Sequence, residues 1–342
     1  MRIASLDRDH LVDAAQALSA ACPFDRADVV AEETLFGPAP ILGLDASGRN
    51  TATGALASPA VFGAWIGDLL VGVAAICANR IRVLAVIPWA RKQGVGSALL
   101  TACEDAARAN GATTLRTLDQ PGNYLAPGID VRNTPTIAWL EKRGFARHGD
   151  ERESVIIDVR DNPRVSRDRA EERADACRTK GYEIRRARPD EAELLHAVDA
   201  EFGGAWSFEL VRSLGVAAKS TALPGSSLSS PPRSLGTSAA RFVSATMQTP
   251  IPAAHVALRG GSYCAFAAHD GNNRGLGWFG PTGTWPAHRG NGLGEALFLA
   301  CLVDVAQEHS RCEVAWIGPR AFYEKVAGIV EDRHFVVLAR SL

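Results

Sequence analysis

The chain of 342 residues has no excess of charge of either sign. Its 37 lysines and arginines face 38 aspartates and glutamates, which gives a formal net charge of -1. Such a balance lacks the basic signature of proteins that bind nucleic acids or anionic membranes. No apolar run approaches the roughly 20 residues needed to cross a bilayer, and the first residues lack a signal-peptide hydrophobic region. We therefore expect a cytoplasmic protein with neither nucleic-acid nor membrane partners.

Patterns typical of disulfides and metal sites are also missing. The seven cysteines are scattered and are never spaced as C-x-x-C, so we expect reduced and mostly buried thiols. The eight histidines show no H-E-x-x-H or similar spacing. A metal site is therefore not expected.

What the sequence does contain is an internal repeat. The pattern x-x-P-x-x-R-x-x-G-x-G-x-A-L occurs at residues 86–99 and again at 284–297. The equivalent arginines, Arg91 and Arg289, and the glycines after them are separated by the same offset of 198 residues. Together with the length, the repeat predicts two related domains.

A second pair of similar segments follows each copy, at residues 139–145 and 322–328. Its offset is 183 residues, so the first copy holds 15 extra residues between its two segments. The segment 121–131 is the obvious place for most of them.

Strands and helices alternate around these segments in both halves. Apolar spacing predicts helices at 94–108 and 292–308, each preceded by predicted strands. We therefore expect an α/β (α+β) protein in which each half is a sheet flanked by helices. The expected boundaries are 1–160 for the first domain, 161–181 for a charged linker and 182–342 for the second domain. For the linker, a frayed helix is the alternative.

The segment 217–240 is rich in serine and proline. Two interpretations stay open for it, a surface loop and a lid that closes over a substrate.

The glycines of each repeat predict an anion site. A strand that runs into R-x-x-G-x-G and then a helix places backbone N–H groups and a helix N-terminus at one point. Glycines allow phosphates to approach the backbone closely. A dinucleotide fingerprint needs a small residue where Leu99 and Leu297 stand, and the G-K-[ST] of a Walker loop is absent.

Both loops resemble the pyrophosphate-binding pattern Q/R-x-x-G-x-G/A of the GNAT superfamily of N-acetyltransferases. The chain as a whole resembles a tandem of two GNAT domains, which implies mixed, mostly antiparallel sheets and acetyl-CoA as cosubstrate. The family's pantetheine arm lies beside the strand ends, where backbone N–H groups would polarise the thioester carbonyl. The residues implied to hold acetyl-CoA are Val86, Ile87, Arg91, Lys92, Gln93, Gly94, Val95, Gly96 and Asn133 in the first copy, and Thr284, Trp285, Arg289, Gly290, Asn291, Gly292, Leu293 and Gly294 in the second. For Asn133, a helix N-cap is the alternative.

The later family motif often carries a tyrosine that protonates the departing thiolate. Tyr323 matches this position in the second copy, whereas the first copy has Leu140. Because leucine cannot donate a proton, the resemblance implies a catalytic second domain and a non-catalytic first domain, with CoA binding by the first left open. The alternative for Tyr323 is an aromatic residue that only packs.

The general base is less well defined by the motif. Glu313 is the first candidate, because the equivalent strand in the family passes close to the acetyl group. Glu201 and Asp270 are other candidates, and proton transfer through water would need none of them.

Three further segments, 122–130, 278–284 and 315–319, look like those of bacterial tandem acetyltransferases that act on glucosamine or glucosaminides. The tryptophans at 206, 278 and 316 would suit a sugar ring, and they would also suit an ordinary core. The resemblance thus implies acetylation of a primary amine of a small molecule, such as an amino sugar, by a monomer or homodimer. An acyl-CoA-binding module without turnover, or an acetyltransferase for proteins or other small amines, are the alternatives.

Overall fold

The computed structural model describes residues 1–44, 50–215 and 251–342, with only the backbone of residues 42–44 and 50–54. The serine- and proline-rich segment 217–240 lies outside the described residues. No helix in these ranges is both long enough and apolar enough to cross a membrane.

Nine α-helices lie within the described residues, and two of them match the helices predicted after the glycine loops. The nine are α1 (Leu11–Ala21), α2 (Ala31–Phe36), α3 (Val95–Ala109), α4 (Thr134–Glu141), α5 (Arg167–Arg178), α6 (Ala192–Phe202), α7 (Gly204–Ser213), α8 (Leu293–Val305) and α9 (Arg320–Val326).

The strands fall into both halves of the chain. They are β1 (Arg2–Ser5), β2 (Ala39–Leu44), β3 (Asn50–Ala57), β4 (Ala60–Ile66), β5 (Leu69–Cys77), β6 (Arg80–Val86), β7 (Thr114–Thr117), β8 (Ile129–Asp130), β9 (Ala146–Arg147), β10 (Arg152–Asp158), β11 (Glu183–Arg186), β12 (Ala254–Arg259), β13 (Ser262–His269), β14 (Trp278–Thr284), β15 (Arg311–Val314), β16 (Glu331–Val336) and β17 (Leu338–Ser341).

Two mixed sheets organise these strands, and a separate pair is formed by β2 and β3. The first sheet has the order β1-β4-β5-β6-β7-β17-β9, and the second has the order β11-β12-β13-β14-β15-β10-β16-β8. Within the sheets, the pairs β6–β7 and β14–β15 are parallel and the others are antiparallel. The predicted class, two mixed and mostly antiparallel sheets flanked by helices, is confirmed.

The two halves exchange strands. Strand β10 of the first half lies in the second sheet, between β15 and β16, and β8 forms the edge of that sheet. In return, the last strand of the chain, β17, lies in the first sheet between β7 and β9. Cutting the chain at residue 160, the expected boundary, would therefore separate strands from their sheets.

The segment 161–181, expected to be a charged linker, contains the packed helix α5. The helix begins after Ser166, whose hydroxyl accepts a hydrogen bond from the backbone N–H of Arg169 at 3.2 Å. Ala170, Ala174 and Cys177 face the core of the second half, at helical spacing. These three small residues form a narrow apolar stripe among many charged residues. The sequence pattern therefore favoured a solvated linker over a packed helix.

Helices α3 and α8 cover one face of their sheets. Val95, Leu99 and Cys103 of α3 are buried in the first core, as the apolar spacing predicts. Helix α8 is apolar on nearly all sides, and Leu297, Phe298 and their neighbours fill the core of the second half. Each helix starts directly at the glycine loop of its half, so the cores hold the two loops in place.

Candidate active site

A cleft opens where the parallel strands of the second sheet separate. Strands β14 and β15 are paired at Trp278–Glu313 and Phe279–Val314, and beyond these residues no pairing continues. A cavity of about 1230 Å³, here called the main cavity, lies between their diverging ends. Strands β6 and β7 of the first half also pair over only two positions.

The second glycine loop forms one end of the main cavity. Gly292, at φ +89°, is the residue before α8, and Gly290 at φ +78° also needs the left-handed conformation. The Nε of Arg289 donates to the carbonyl of Thr284 at 3.2 Å, which fixes the loop on the end of β14. The first N–H groups of α8 have no partner within the helix, so this loop presents an anion site to the cavity.

The first glycine loop has the same local geometry. Gly94 precedes α3 at φ +85°, and the Nε of Arg91 donates to the carbonyl of Val86 at 3.0 Å. Lys92, at φ +62°, stands where the second loop has Gly290. The predicted CoA-binding residues of each glycine loop therefore lie at one helix N-terminus, and the two loops follow strands of different sheets.

Two of the backbone N–H groups expected to polarise a thioester already have partners in the sheets. The N–H of Ile87 donates to the carbonyl of Val71, and that of Trp285 donates to the carbonyl of Cys264, both at 3.0 Å. Successive N–H groups of a strand point to opposite edges, so the N–H of Thr284 faces the separated edge of β14. For Ile87 and Trp285 the expected oxyanion role is wrong.

Asn133 precedes α4, and its side chain makes no capping hydrogen bond. Its carbonyl accepts from the N–H groups of Thr136 and Ile137 instead. The N-cap alternative is therefore wrong for its side chain, and a contact with CoA stays a prediction.

Tyr323 lies on α9 and lines the main cavity. Its ring packs against Phe298 and Phe322 at centroid distances of 5.3 and 5.1 Å. Its hydroxyl makes no hydrogen bond with any residue that the structure describes. Burial raises the pKa of Tyr323 to about 12, so the hydroxyl holds its proton at neutral pH.

Leu140, at the matching position of α4, is buried in the core of the first half. Tyr323 is buried to a similar extent in the core of the second half, so the two positions differ in side chain rather than in burial.

Glu313 does not line the main cavity. Strand side chains alternate, so its neighbour Val314 lines the main cavity while Glu313 points to the opposite face of β15. There it borders a second cavity of about 330 Å³ and accepts hydrogen bonds from Nη1 of Arg333 at 3.0 and 3.2 Å. Burial raises the pKa of Glu313 to about 7 against the opposing effect of Arg333. Its expected role as the base is not supported by this placement.

We expect Glu313→Gln to retain acetyl-transfer activity within about 3-fold, since Arg333 keeps its ion pairs with Asp25 and Asp130. Initial rates of thiol release between pH 6 and 9 would measure this. A loss above about 30-fold would restore Glu313 as a base.

The other two candidate bases lie outside the main cavity as well. Asp270 accepts a hydrogen bond from Nδ1 of His269 at 2.8 Å, and this bond lowers the pKa of the carboxyl against the effect of burial. Glu201 is on α6, and neither carboxylate borders the main cavity. Neither is placed to accept a proton there.

A carboxylate that the sequence reasoning missed does border the main cavity. Glu209 of α7 is 8% exposed and makes no hydrogen bond or ion pair through its carboxylate with any described residue. Burial raises the pKa of Glu209 to about 8 against the opposing charge of Arg212. The sequence could have indicated Glu209 by its position next to Leu210 on the apolar side of a helix. Acidic residues are rarely buried there without a partner or a function.

The first half contributes a side chain to this cavity. Tyr124 comes from the segment 121–131, the insertion expected from the repeat offsets. Asn272 holds its backbone by donating from Nδ2 to the Tyr124 carbonyl at 2.8 Å and accepting from the Tyr124 N–H at 3.2 Å. Asn273 donates in the same way to the carbonyl of Leu125 at 3.1 Å. The insertion thus reaches across the halves and is fastened there.

Aromatic rings form much of the wall. The ring of Tyr124 lies 5.9 Å from that of Trp278 and 6.1 Å from that of Trp316. Trp206 stacks on Phe202 at 5.3 Å and is 37% exposed. All three tryptophans singled out in the sequence border the main cavity.

At the matching place in the first half, an arginine fills the space. Arg82 of β6 corresponds by the offset of 198 to Gly280 of β14, which borders the main cavity. Arg82 is 1% exposed and donates to the carbonyls of Gly37, Glu33 and Asn123. These hydrogen bonds connect α2 and the insertion 121–131 to the first sheet. In the second half, Gly280 has no side chain and borders the main cavity.

Comparison with known proteins identifies this architecture. The acetyltransferase (GNAT) family matches residues 47–145. A glucosamine N-acetyltransferase region of a fungal multi-domain GH3 β-N-acetylglucosaminidase has a TM-score of 0.65 at 14% identity, covering 99% of this chain and 38% of that longer one. The chain has the tandem GNAT fold.

Two further solved structures match the tandem GNAT fold along almost their whole length. A tandem GNAT protein from the clavulanic acid biosynthesis pathway has a TM-score of 0.59 at 17% identity, covering 99% of this chain and 98% of that one. A GCN5-related N-acetyltransferase from Sphaerobacter thermophilus has a TM-score of 0.58 at 15% identity, covering 99% and 95%. A comparison with curated proteins gave no match.

The family match over residues 47–145 and the GNAT fold are consistent with an N-acetyltransferase enzyme. The matched residues include the first glycine loop and end before the second. The match therefore falls on the half that carries Leu140 instead of the tyrosine.

Proposed function

We propose that the second half transfers the acetyl group of acetyl-CoA to the primary amine of a small molecule. The observation that carries this proposal is the main cavity, because it is bordered by both the second glycine loop and Tyr323. An anion site for the pyrophosphate and a proton donor for the thiolate thus share one space.

The residues around the cavity suggest how acetyl-CoA binds. Its pyrophosphate would accept hydrogen bonds from the N-terminus of α8, with the charge of Arg289 nearby. Its pantetheine arm would extend along the separated edge of β14. The N–H of Thr284 on this edge would then stabilise the negative charge that develops on the thioester oxygen.

The reaction would proceed by direct attack of the neutral amine on the thioester carbonyl. The hydroxyl of Tyr323 would donate its proton to the thiolate of CoA as the carbon–sulfur bond breaks. Its pKa, raised by burial to about 12, means that this hydroxyl is protonated before the reaction. No covalent intermediate with the protein is required.

An amino sugar is the acceptor class we favour. The aromatic residues Tyr124, Trp278 and Trp316 border the cavity, and aromatic side chains suit the apolar face of a sugar ring. The solved glucosamine N-acetyltransferase region has the same fold, which supports this choice.

The experiment that tests the proposal is acetylation of a primary-amine panel by the full chain, with glucosamine, aminoglycosides, polyamines and peptides as acceptors. Thiol release and mass spectrometry of the products would be read together. We expect an acetylated small amine, whereas acetylated peptides alone would favour a protein substrate.

A second function, CoA binding without turnover, is proposed for the first half. It is favoured by the exposed first glycine loop combined with Leu140. Calorimetry with CoA on a full-length chain whose second loop is blocked would test it. Residual binding would assign a site to the first half, and no binding would leave its loop a structural element.

A further inference from the structure

We propose that the carboxylate of Glu209 receives the ammonium group of the acceptor and takes up its proton, in a subsite that Tyr124 of the first half closes. This inference rests on the proposed function of the second half. The ligand of this subsite is a small polar molecule that carries a primary ammonium group.

The first argument is that Glu209 is buried without a partner. Its natural partner would be Arg212, one helical turn further along α7. The Nη2 of Arg212 instead pairs with Oε2 of Glu33 at 2.8 Å, and its Nε donates to the carbonyl of Gly271 at 2.8 Å. The carboxylate of Glu209 is left facing the main cavity, where a buried acidic group is stable only with a ligand or a proton.

The second argument is that the subsite is built and held from both halves. Glu33 of α2 takes the ion pair of Arg212 and also accepts from the N–H of Asn273 at 2.8 Å. Asn272 holds Tyr124, as described above. Because burial and the charge of Glu209 are the two largest causes that raise the pKa of Tyr124, the phenol and the carboxylate lie within electrostatic reach of each other.

Glu209 and Tyr323 carry out the proton transfers of the proposed reaction. The ionised Glu209 takes one proton from the ammonium, and the free amine attacks the thioester. The nitrogen–carbon bond forms and the carbon–sulfur bond breaks, while Tyr323 gives its proton to the thiolate. The proton that nitrogen loses on forming the amide returns to Tyr323, and Glu209 releases its proton to solvent. One proton is thus released per amine acetylated.

A pKa of about 8 places the ionisation of Glu209 in the working range of a general base. Below this value the free protein holds a neutral carboxyl, so kcat/KM for the amine should rise with pH up to about 8.

The main test compares the Glu209→Gln variant with Glu193→Gln, an exposed glutamate on the neighbouring helix α6. For Glu209→Gln we expect the KM of the amine to rise about 10- to 50-fold and the pH limb near 8 to disappear, with the KM of acetyl-CoA within about 2-fold. Glu209→Asp should recover part of the lost affinity, and Glu193→Gln should behave like the native chain. An unchanged amine KM with an unchanged pH limb in Glu209→Gln would overturn the proposal.

Binding without acetyl-CoA separates this inference from the proposed function. Calorimetry would compare glucosamine with glucose, which has a hydroxyl in place of the amino group. Preference for glucosamine that Glu209→Gln removes, in a protein that acetylates no amine, would support the subsite and refute the enzyme. Acetylation with equal amine affinity in both proteins would refute the subsite alone, and binding of no panel amine would refute both.

The same carboxylate also predicts a stability effect. The pKa of Glu209 in the folded chain, about 8, is above its ordinary value of 4.5, so folding favours the protonated form. The stability that depends on this proton is present below about pH 4.5 and is lost as pH rises through 8. Glu209→Gln should therefore melt about 3–6 °C above the native chain at pH 8.5, with a smaller difference at pH 5. Equal melting temperatures at both pH values would show that the carboxylate is not buried unpaired.

Discussion

Replacing Tyr323 by phenylalanine is expected to lower kcat by about 10²- to 10³-fold, which is the usual contribution of one positioned general acid. The KM of acetyl-CoA should change little, because the ring still packs on Phe298 and Phe322. Steady-state thiol release with a saturating amine measures the effect.

The substitution of Tyr323 by phenylalanine should remove the proton donor without changing stability. The Tyr323 hydroxyl makes no hydrogen bond with the described residues, so its removal leaves no unpaired group and the melting temperature should stay within about 1 °C. Tyr263→Phe is the matched control, since the hydroxyl of Tyr263 donates to Glu191 at 3.1 Å, away from the main cavity. Full turnover by the Tyr323 variant would show that this residue only packs.

A glutamate placed in the second glycine loop, Gly294→Glu, is expected to reduce kcat/KM for acetyl-CoA by about 100-fold or more. A Cβ added at Gly294 would lie 3.8 Å from Oγ1 of Thr284 and 3.9 Å from Phe322, which is ordinary contact. A carboxylate in the first turn also favours the helix. The fold should therefore persist, while a negative charge occupies the pyrophosphate site.

The repeat supplies the matched control for this variant. Gly96→Glu puts the same charge at the equivalent position of α3, where an added Cβ would lie 3.6 Å from the ring of Trp139. We expect its acetyl-transfer activity to stay within about 3-fold of the native chain. Loss of activity in Gly96→Glu with normal activity in Gly294→Glu would assign catalysis to the first half instead.

Local sequence pattern was sufficient to predict the loops and the helices that follow them. The glycines at 94 and 292 adopt the left-handed conformation that precedes α3 and α8, and the apolar spacing locates both helices within a few residues. These features depend on neighbours in sequence. Turn chemistry and apolar periodicity are therefore sufficient to predict these loops and helices.

The site's acidic residues depend on contacts between distant segments, and sequence pattern predicted them poorly. Glu313 and Glu209 are both plausible bases by residue type, and strand alternation places the first on the face away from the main cavity. Glu209 is left unpaired because Glu33, 176 residues earlier in the chain, takes its expected partner Arg212. No local signal reports such a pairing.

The strand exchange was hidden for the same reason. Strand β10 reads as an ordinary strand of the first half, and only its pairing with β15 and β16 reveals its sheet. The exchange affects the proposed active site, because the first half supplies β10 to the second sheet and Tyr124 to the main cavity. Arg82 of the first half is buried at the position equivalent to Gly280. In our proposal, the first half therefore supports the second and forms one wall of the acceptor site.

The most direct test of the central claim is the acetylation of the amine panel by the native chain and by Gly294→Glu and Gly96→Glu. Our account predicts one acetylated primary amine per thiol released by the native chain, the same product from Gly96→Glu, and almost none from Gly294→Glu. Thiol release without an acetylated amine, or equal activity of the two variants, would contradict it.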